Sequence, residues 1–215
     1  NRLAINFARK AVYDLGIPRE AFQETGKVNA AATVTGMHHN HNYKSHLTHL
    51  KEIFEIYDAK QMKELTGTEY YLGGLYTPGT VMLQPALYVR ELGNKLISNK
   101  LKIYENSPVI SLENKGPDWH AKTLKGSITT QRIIMATNGH VESFGFFKRR
   151  LIHLFTYASM TQVLTDIESK HLGGKADWGL TSADPLGTTV RKISTNLGER
   201  IVIRNSVTYE PKMHP

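Results

Sequence analysis

Residues 101–136 alternate short runs of strand-forming residues with turn residues, and this pattern restricts the fold more than any other feature of the chain. Residues 115–118 and the residues around Gly126 predict hairpin turns. The last run is continuously apolar at 133–135, which is typical of a strand buried on both faces. We therefore expect an antiparallel meander that leads into one buried strand, with strands at 101–104, 108–112, 119–124, 127–130 and 132–136.

Helical periodicity marks the segments on either side of this meander. The clearest helix is predicted at 85–98, because Pro85 suits the first helical position and Val89, Leu92 and Leu96 continue one apolar stripe. Other helices are predicted at 3–15, 43–57, 60–65 and 166–171. The remaining predicted strands are 26–34, 69–76, 154–164, 188–194 and 200–205, with a hairpin turn at 196–198.

The composition is that of a globular protein with a real core. Hydrophobic residues make up 40% of the 215 residues, and the absence of cysteine excludes disulfides and thiolate metal sites. The first ten residues do not resemble a secretory signal, and no apolar run reaches the length of a membrane span. These features predict a cytoplasmic protein with no membrane partner.

The net charge of +8 is compatible with nucleic acid, an anionic cofactor or an acidic substrate. The basic residues are spread along the chain, with one small concentration at 148–150, and no aromatic residues alternate with them. Nothing beyond the net charge favours a nucleic-acid-binding protein, and we predict no nucleic-acid partner.

Five histidines fall within twelve positions, at His38, His39, His41, His46 and His49. His46 and His49 would share a helical face, but residues 38–41 are predicted as a loop. No carboxylate or cysteine completes a recognisable ligand set, so we predict no metal site.

Several segments, taken together, resemble a known family. The segments are Thr-Gly-Lys at 25–27, Tyr-Leu-Gly-Gly-Leu-Tyr at 71–76, Leu-Gln-Pro at 83–85, Ile-Tyr-Glu-Asn-Ser-Pro-Val at 103–109 and Ile-Ile-Met-Ala-Thr-Asn-Gly at 133–139, followed by a late hairpin at 189–205. Their order and spacing resemble the D-amino-acid-oxidase-like family of flavin oxidoreductases. Within it they are most similar to the bacterial branch that includes gamma-glutamylputrescine oxidoreductase.

The resemblance implies FAD as cofactor and oxidation of an amine or amino acid as the parent activity, with a glutamylated polyamine among the possible substrates. It implies cofactor contacts at Val109, Ala136, Thr137, Asn138 and Gly139. It leaves the catalytic residues unassigned, and the candidates for substrate contact are Tyr157, Arg191 and Arg204. An ordinary turn at 136–139, a packing tyrosine and solvated strand arginines are the alternatives for these residues.

The resemblance also implies an architecture, α/β with α+β. A partial Rossmann-like FAD-binding domain at 68–139 would interleave with an antiparallel-sheet substrate domain formed by residues 1–67 and 140–215. The family's Gly-x-Gly-x-x-Gly turn and its closing glycine-rich flavin segment are absent from the sequence. We therefore expect a fragment of a longer enzyme, inactive alone, and the alternative is a non-catalytic module of the same fold that holds no flavin.

Overall fold

The computed structural model describes residues 2–210 as a mixture of helices and strands. Its α-helices are α1 (Arg2–Leu15), α2 (Val34–His49), α3 (Ala59–Thr66), α4 (Pro85–Leu96) and α5 (Asp166–Leu172). Its strands are β1 (Phe22–Gln23), β2 (Lys27–Ala31), β3 (Glu55–Asp58), β4 (Gly73–Thr77), β5 (Met82–Leu83), β6 (Ser111–Lys115), β7 (Asp118–Lys122), β8 (Ser127–Thr130), β9 (Leu154–Met160), β10 (Trp178–Ser182), β11 (Thr189–Thr195) and β12 (Gly198–Tyr209). Two 3-10 helices occupy Arg19–Ala21 and Asn138–Phe144.

The chain divides into two compact units. The first contains the residues up to 96 together with 156–207, and the second contains 97–155 and the described residues from 208 onward. The first unit contains a seven-stranded sheet in the order β3-β4-β2-β10-β11-β12-β9. β2 and β10 pair in parallel, whereas β3 with β4, β4 with β2, β10 with β11 and β11 with β12 pair antiparallel.

The core of the first unit lies between this sheet and α3. Met62 of α3 is fully buried and packs with Val28 and Leu180 of the sheet. Asp58 caps the start of α3 through a capping box, and Gly67 ends the helix with φ of 82°. A Cβ at Gly67 would lie 1.7 Å from the carbonyl oxygen of Leu172, so this helix end accepts only glycine.

The second unit contains the predicted meander. Strands β6, β7 and β8 form a three-stranded antiparallel sheet, and the predicted strand at 127–130 coincides with β8. A small apolar cavity of about 160 Å³ lies beside this sheet, lined by Leu112, Trp119, Ile133, Met135 and Phe146. The predicted antiparallel meander is therefore confirmed for β6, β7 and β8, three of the five predicted strands.

The end of the meander differs from the prediction. Residues 132–136 form no strand, and neither do 101–104. Ile133 and Met135 line the small cavity, but Ile134 between them is 93% exposed. The prediction of a strand buried on both faces is wrong for the described structure, because only one face of this segment is covered.

The histidine-rich segment is helical, contrary to the prediction. α2 begins at Val34, where the Thr33 hydroxyl accepts a hydrogen bond from the Gly36 amide, and it ends at His49. Residues 38–41 therefore lie inside a helix, not in a loop. The predicted helix at 43–57 is wrong over its second half, because Glu55–Asp58 form β3.

The remaining helices and the late hairpin agree with the sequence-based prediction. α1, α3, α4 and α5 fall within two residues of their predicted limits, and the predicted turn at 196–198 joins β11 to β12. Within residues 2–210, no helix has the length and apolar character needed to cross a membrane.

Candidate functional site

One cavity of the first unit lies against β11 and β12. Its volume is about 720 Å³. The walls come from the 3-10 helix at 19–21, strands β1, β5, β9, β11 and β12, and the start of α4, with the lining residues Glu20, Gln23, Met82, Leu83, Gln84, Pro85, Leu87, Met160, Arg191, Ile193, Ser194, Thr195, Asn196, Leu197, Arg200 and Val202. Such a volume is typical of a small-molecule site.

Strand periodicity decides which side chains enter this cavity. Arg191 pairs with Val202, and Ile193 pairs with Arg200, so these four residues share one face of the hairpin and line the cavity. Lys192 points to the opposite face, where it is buried. The hairpin thus places two arginines, Arg191 and Arg200, on the cavity wall.

Charge in this cavity favours an anionic ligand group. Arg200 donates a hydrogen bond from Nη1 to the carbonyl oxygen of Thr161 at 2.9 Å. Arg191 is exposed, and among residues 2–210 its guanidinium has no hydrogen-bond or ion-pair partner. Glu20 is the single acidic residue among the lining residues. The guanidinium of Arg191 is therefore available to hold a carboxylate with two parallel hydrogen bonds.

The other two candidates for substrate contact lie elsewhere. Arg204 of β12 donates a hydrogen bond from Nη2 to the Thr189 hydroxyl at 3.0 Å and does not line the cavity. Tyr157 of β9 is 49% exposed and does not line it either. The structure brings only Arg191, of the three predicted residues, into this cavity.

Arg200 was missed as a site residue, although the sequence carried a signal for it. The turn at 196–198 joins two strands whose register follows from the hairpin. Counting outward from that turn places Arg200 opposite Ile193, and hence on the same face as Arg191. The sequence-based prediction did not carry the register through the turn.

The predicted cofactor turn, residues 136–139, lies in the second unit. Ala136 and Asn138 are exposed, whereas Gly139 is buried at the start of the 3-10 helix. Asn138 has a φ of 51°, which is uncommon for a residue other than glycine. The hydroxyl oxygen of Thr137 is buried and has no hydrogen-bond partner within the described residues.

These features fit a ligand with polar groups. A buried hydroxyl without a partner is costly, and a bound ligand could satisfy it. Ala136 and Asn138, on either side of Thr137, are exposed residues. The turn therefore has the character expected of a cofactor contact, although its assignment stays a prediction.

Val109, the other predicted cofactor contact, is 41% exposed and lies two residues before β6. It is not part of a strand, because the predicted strand 108–112 begins only at Ser111. The adjacent amide of Ile110 is fixed by a hydrogen bond to the carbonyl oxygen of Lys122 at 2.8 Å. The predicted backbone contact of Val109 with an adenine stays a prediction.

The histidines of α2 do not assemble a metal site in the described structure. His39 lies 3.2 Å from the carbonyl oxygen of Ala183 and 3.5 Å from a carboxylate oxygen of Asp184, both measured from Nδ1. Among residues 2–210, no group of three or more histidine, aspartate or glutamate side chains is arranged to hold a metal ion.

Comparison with solved structures shows the fold. The chain is similar to glycine oxidase from Geobacillus kaustophilus, with a TM-score of 0.74 and 14% identity, over 98% of this chain and 54% of that one. It is also similar to L-alpha-glycerophosphate oxidase from Mycoplasma pneumoniae with FAD bound, with a TM-score of 0.70 and 14% identity, over 97% of this chain and 56% of that one. The predicted mixed α/β fold is confirmed.

Sequence comparison agrees with the fold. The chain is 27% identical over 99 residues to the probable oxidoreductase OrdL of Haemophilus influenzae, which covers 46% of this chain and 23% of that protein. It thus spans about half the length of the solved structures and less of this relative. The model of the family described as "DAO: FAD dependent oxidoreductase" matches residues 2–211. The chain belongs to this family, whose cofactor is FAD.

Proposed function

We propose that the whole protein oxidises a small amine or amino acid, and that this chain supplies the wall that binds the substrate. The observation that carries this proposal is the guanidinium of Arg191, which lines a cavity of about 720 Å³ and makes no hydrogen bond or ion pair within the described residues. Glycine oxidase, among the similar structures, acts by its name on an amino acid. The family match does not favour the alternative, a module that holds no flavin.

The cavity chemistry favours a substrate with a carboxylate and an apolar portion. Arg191 and Arg200 outnumber Glu20, so the site attracts an anion. Apolar side chains such as Met82 and Leu87 form much of the remaining wall. A free polyamine would meet two arginines and one carboxylate, so an amino acid or an N-substituted amino acid suits the cavity better. A glutamylated polyamine satisfies this condition through its glutamyl carboxylate.

The chemical step needs little from the side chains. Bound FAD supplies the acceptor for a hydride from the carbon that carries the amine. Residues Val109 and 136–139 would contact FAD, while Arg191 would fix the carboxylate and so orient that carbon. This division explains why we assign no acid or base to the reaction.

The first experiment is an absorbance spectrum of the purified chain with and without added FAD, followed by gel filtration. Retained flavin bands in the near-ultraviolet and blue would support a cofactor site formed by the residues present. Failure of the longer protein to retain flavin under the same conditions would contradict the proposal.

We expect Thr137→Val to separate a cofactor contact from a packing role. Valine has nearly the same shape as threonine but no hydroxyl. It removes a buried hydroxyl that has no hydrogen-bond partner, so the chain without FAD should gain about 1 kcal/mol in free energy of unfolding. FAD affinity should instead fall about tenfold, because a hydrogen bond to the cofactor is lost. Urea unfolding and a fluorescence titration with FAD measure the two effects.

Thr130→Val is the matched control, since Thr130 lies in the same unit and its hydroxyl donates to the Arg132 carbonyl oxygen. This control should leave FAD affinity unchanged. Equal FAD affinity in Thr137→Val and in the unaltered chain would contradict the assignment of the Thr137 hydroxyl to the cofactor.

A further inference from the structure

The second unit has little apolar burial with which to fix the turn at 136–139. Among its described residues, the buried ones are Gly139 and Val141, and both lie on the 3-10 helix Asn138–Phe144. Large apolar side chains such as Ile134, Ile128 and Ile152 are more than half exposed. Because packing supplies so little here, hydrogen bonds must determine much of the local geometry.

One carboxylate in this helix accepts hydrogen bonds on both of its oxygens. Glu142 Oε2 accepts a hydrogen bond from His153 Nε2 at 2.9 Å, and Glu142 Oε1 accepts one from the Arg149 amide at 2.9 Å. The side chain of His153 is only 9% exposed. The hydrogen bond from His153 is the largest of the influences that lower the pKa of Glu142, so this carboxylate is ionised at neutral pH.

Backbone hydrogen bonds connect the Glu142–His153 pair to the turn at 136–139. The carbonyl oxygen of Glu142 accepts a hydrogen bond from the Gly145 amide, and the amide of His140 donates to the carbonyl oxygen of Thr137 at 3.1 Å. The carbonyl oxygen of His153 accepts from the Glu210 amide at 3.0 Å, which anchors the other partner. A shift of Glu142 would therefore move the 3-10 helix and the Thr137 residue bonded to it.

We infer that Glu142 and His153 are a positioning pair that holds residues 136–139 in the conformation that presents the Thr137 hydroxyl. The inference rests on the proposed function for its link to FAD. Neither residue contacts the cofactor in this scheme. Their effect on FAD binding is transmitted by the 3-10 helix, which a hydrogen bond to an ionised carboxylate fixes more firmly than a neutral one would.

The test uses His153→Leu, His153→Gln and Glu142→Ala in the 215-residue chain. A glutamine amide can place an N–H donor near the position of Nε2, whereas leucine supplies bulk without a donor. Glu168→Ala is the control, because the Glu168 carboxylate likewise accepts hydrogen bonds, from the Thr165 amide and hydroxyl, and has a lowered pKa, but it lies in the first unit. Hydrogen exchange of the His140 and Gly145 amides is measured without FAD, and FAD affinity is measured separately by fluorescence titration.

We expect exchange of the His140 and Gly145 amides to accelerate at least tenfold in Glu142→Ala and His153→Leu, with FAD binding weakened by a similar factor. His153→Gln should stay within about threefold of the unaltered chain in both measurements. Unchanged exchange in Glu142→Ala, or a larger loss with glutamine than with leucine at 153, would overturn the inference. If exchange responds as expected but the FAD affinities of Glu142→Ala and Glu168→Ala are equal, the proposed cofactor contact of residues 136–139 is contradicted. The structural role of the Glu142–His153 pair would then still be supported.

Discussion

Replacing Lys192 by methionine is expected to lower the free energy of unfolding of the chain by about 2–4 kcal/mol. Lys192 is 2% exposed, and its Nζ lies 3.0 Å from the Glu199 carboxylate. The same ammonium donates to the carbonyl oxygen of Gly173 at 3.3 Å. Methionine would fill the volume but leave Glu199, 25% exposed, without its cation. Urea unfolding followed by circular dichroism measures the change.

The pH dependence gives a second measurement of the same pair. Burial acts to raise the pKa of Glu199, but hydrogen bonds from Lys192 and Ser169 outweigh it and lower that pKa overall. A carboxylate with a lowered pKa stabilises the fold above its ordinary pKa, and this contribution is lost as the pH falls through the lowered value. The difference between Lys192→Met and the unaltered chain should therefore shrink below about pH 4.

Two controls separate the ion pair from side-chain bulk. Lys60→Met removes an exposed lysine of α3 and should change stability by less than about 0.5 kcal/mol. The double variant Lys192→Met/Glu199→Leu removes both charges and should recover most of the loss. Equal destabilisation in the single and double variants would show that packing, not the unpaired carboxylate, accounts for the effect.

Residues that start or end helices, such as proline at the first position and glycine after the last, predicted the helices that contain them. α4 begins at Pro85 as expected, and α3 ends at Gly67 because only glycine fits that helix end. α2 has a capping residue at its start, Thr33, but the histidines and asparagines inside it are weak helix formers. Tertiary contacts determine it instead: the buried Asn40 amide donates to the carbonyl oxygen of Asn29 at 2.8 Å, and Leu47 is buried. No window of the sequence alone contains that information.

The apolar run at 133–135 shows a different limit. Continuous apolarity predicted coverage of both faces, but the described structure covers Ile133 and Met135 and exposes Ile134. A sequence pattern indicates which residues favour burial, but it does not indicate which other elements of the structure cover them. The domain limits at 67 and 139 rest on the resemblance and stay predictions.

The site was predictable where strand periodicity applied. Arg191 was selected as one of two hairpin arginines, and its partner in the cavity is Arg200 rather than Arg204. Arg204 shares the face of Arg191 by register, yet its guanidinium bonds to Thr189 instead of the cavity. Periodicity assigns a face of the sheet, but the hydrogen-bond partner that decides whether an arginine is available comes from the three-dimensional structure.

In the enzyme proposed above, Arg191→Leu is expected to raise KM for an amino-acid substrate about 100-fold. A bidentate, charge-assisted pair with a carboxylate contributes about 1.5–3 kcal/mol, which corresponds to a factor of roughly 10 to 150. kcat should change less, because the arginine holds a group that does not react. Steady-state oxidation of the amino acid by oxygen consumption or dye reduction measures both constants.

The comparison that decides the role of Arg191 uses the matching amine without its carboxylate. If Arg191 binds that carboxylate, kcat/KM for the amine should be nearly equal in Arg191→Leu and the unaltered enzyme, because the lost hydrogen bonds had no counterpart in this substrate. Arg204→Leu, which removes an arginine already bonded to Thr189, should leave KM for the amino acid within about threefold. A parallel loss for amine and amino acid would instead indicate that Arg191 supports the cavity wall, and the carboxylate would need another partner.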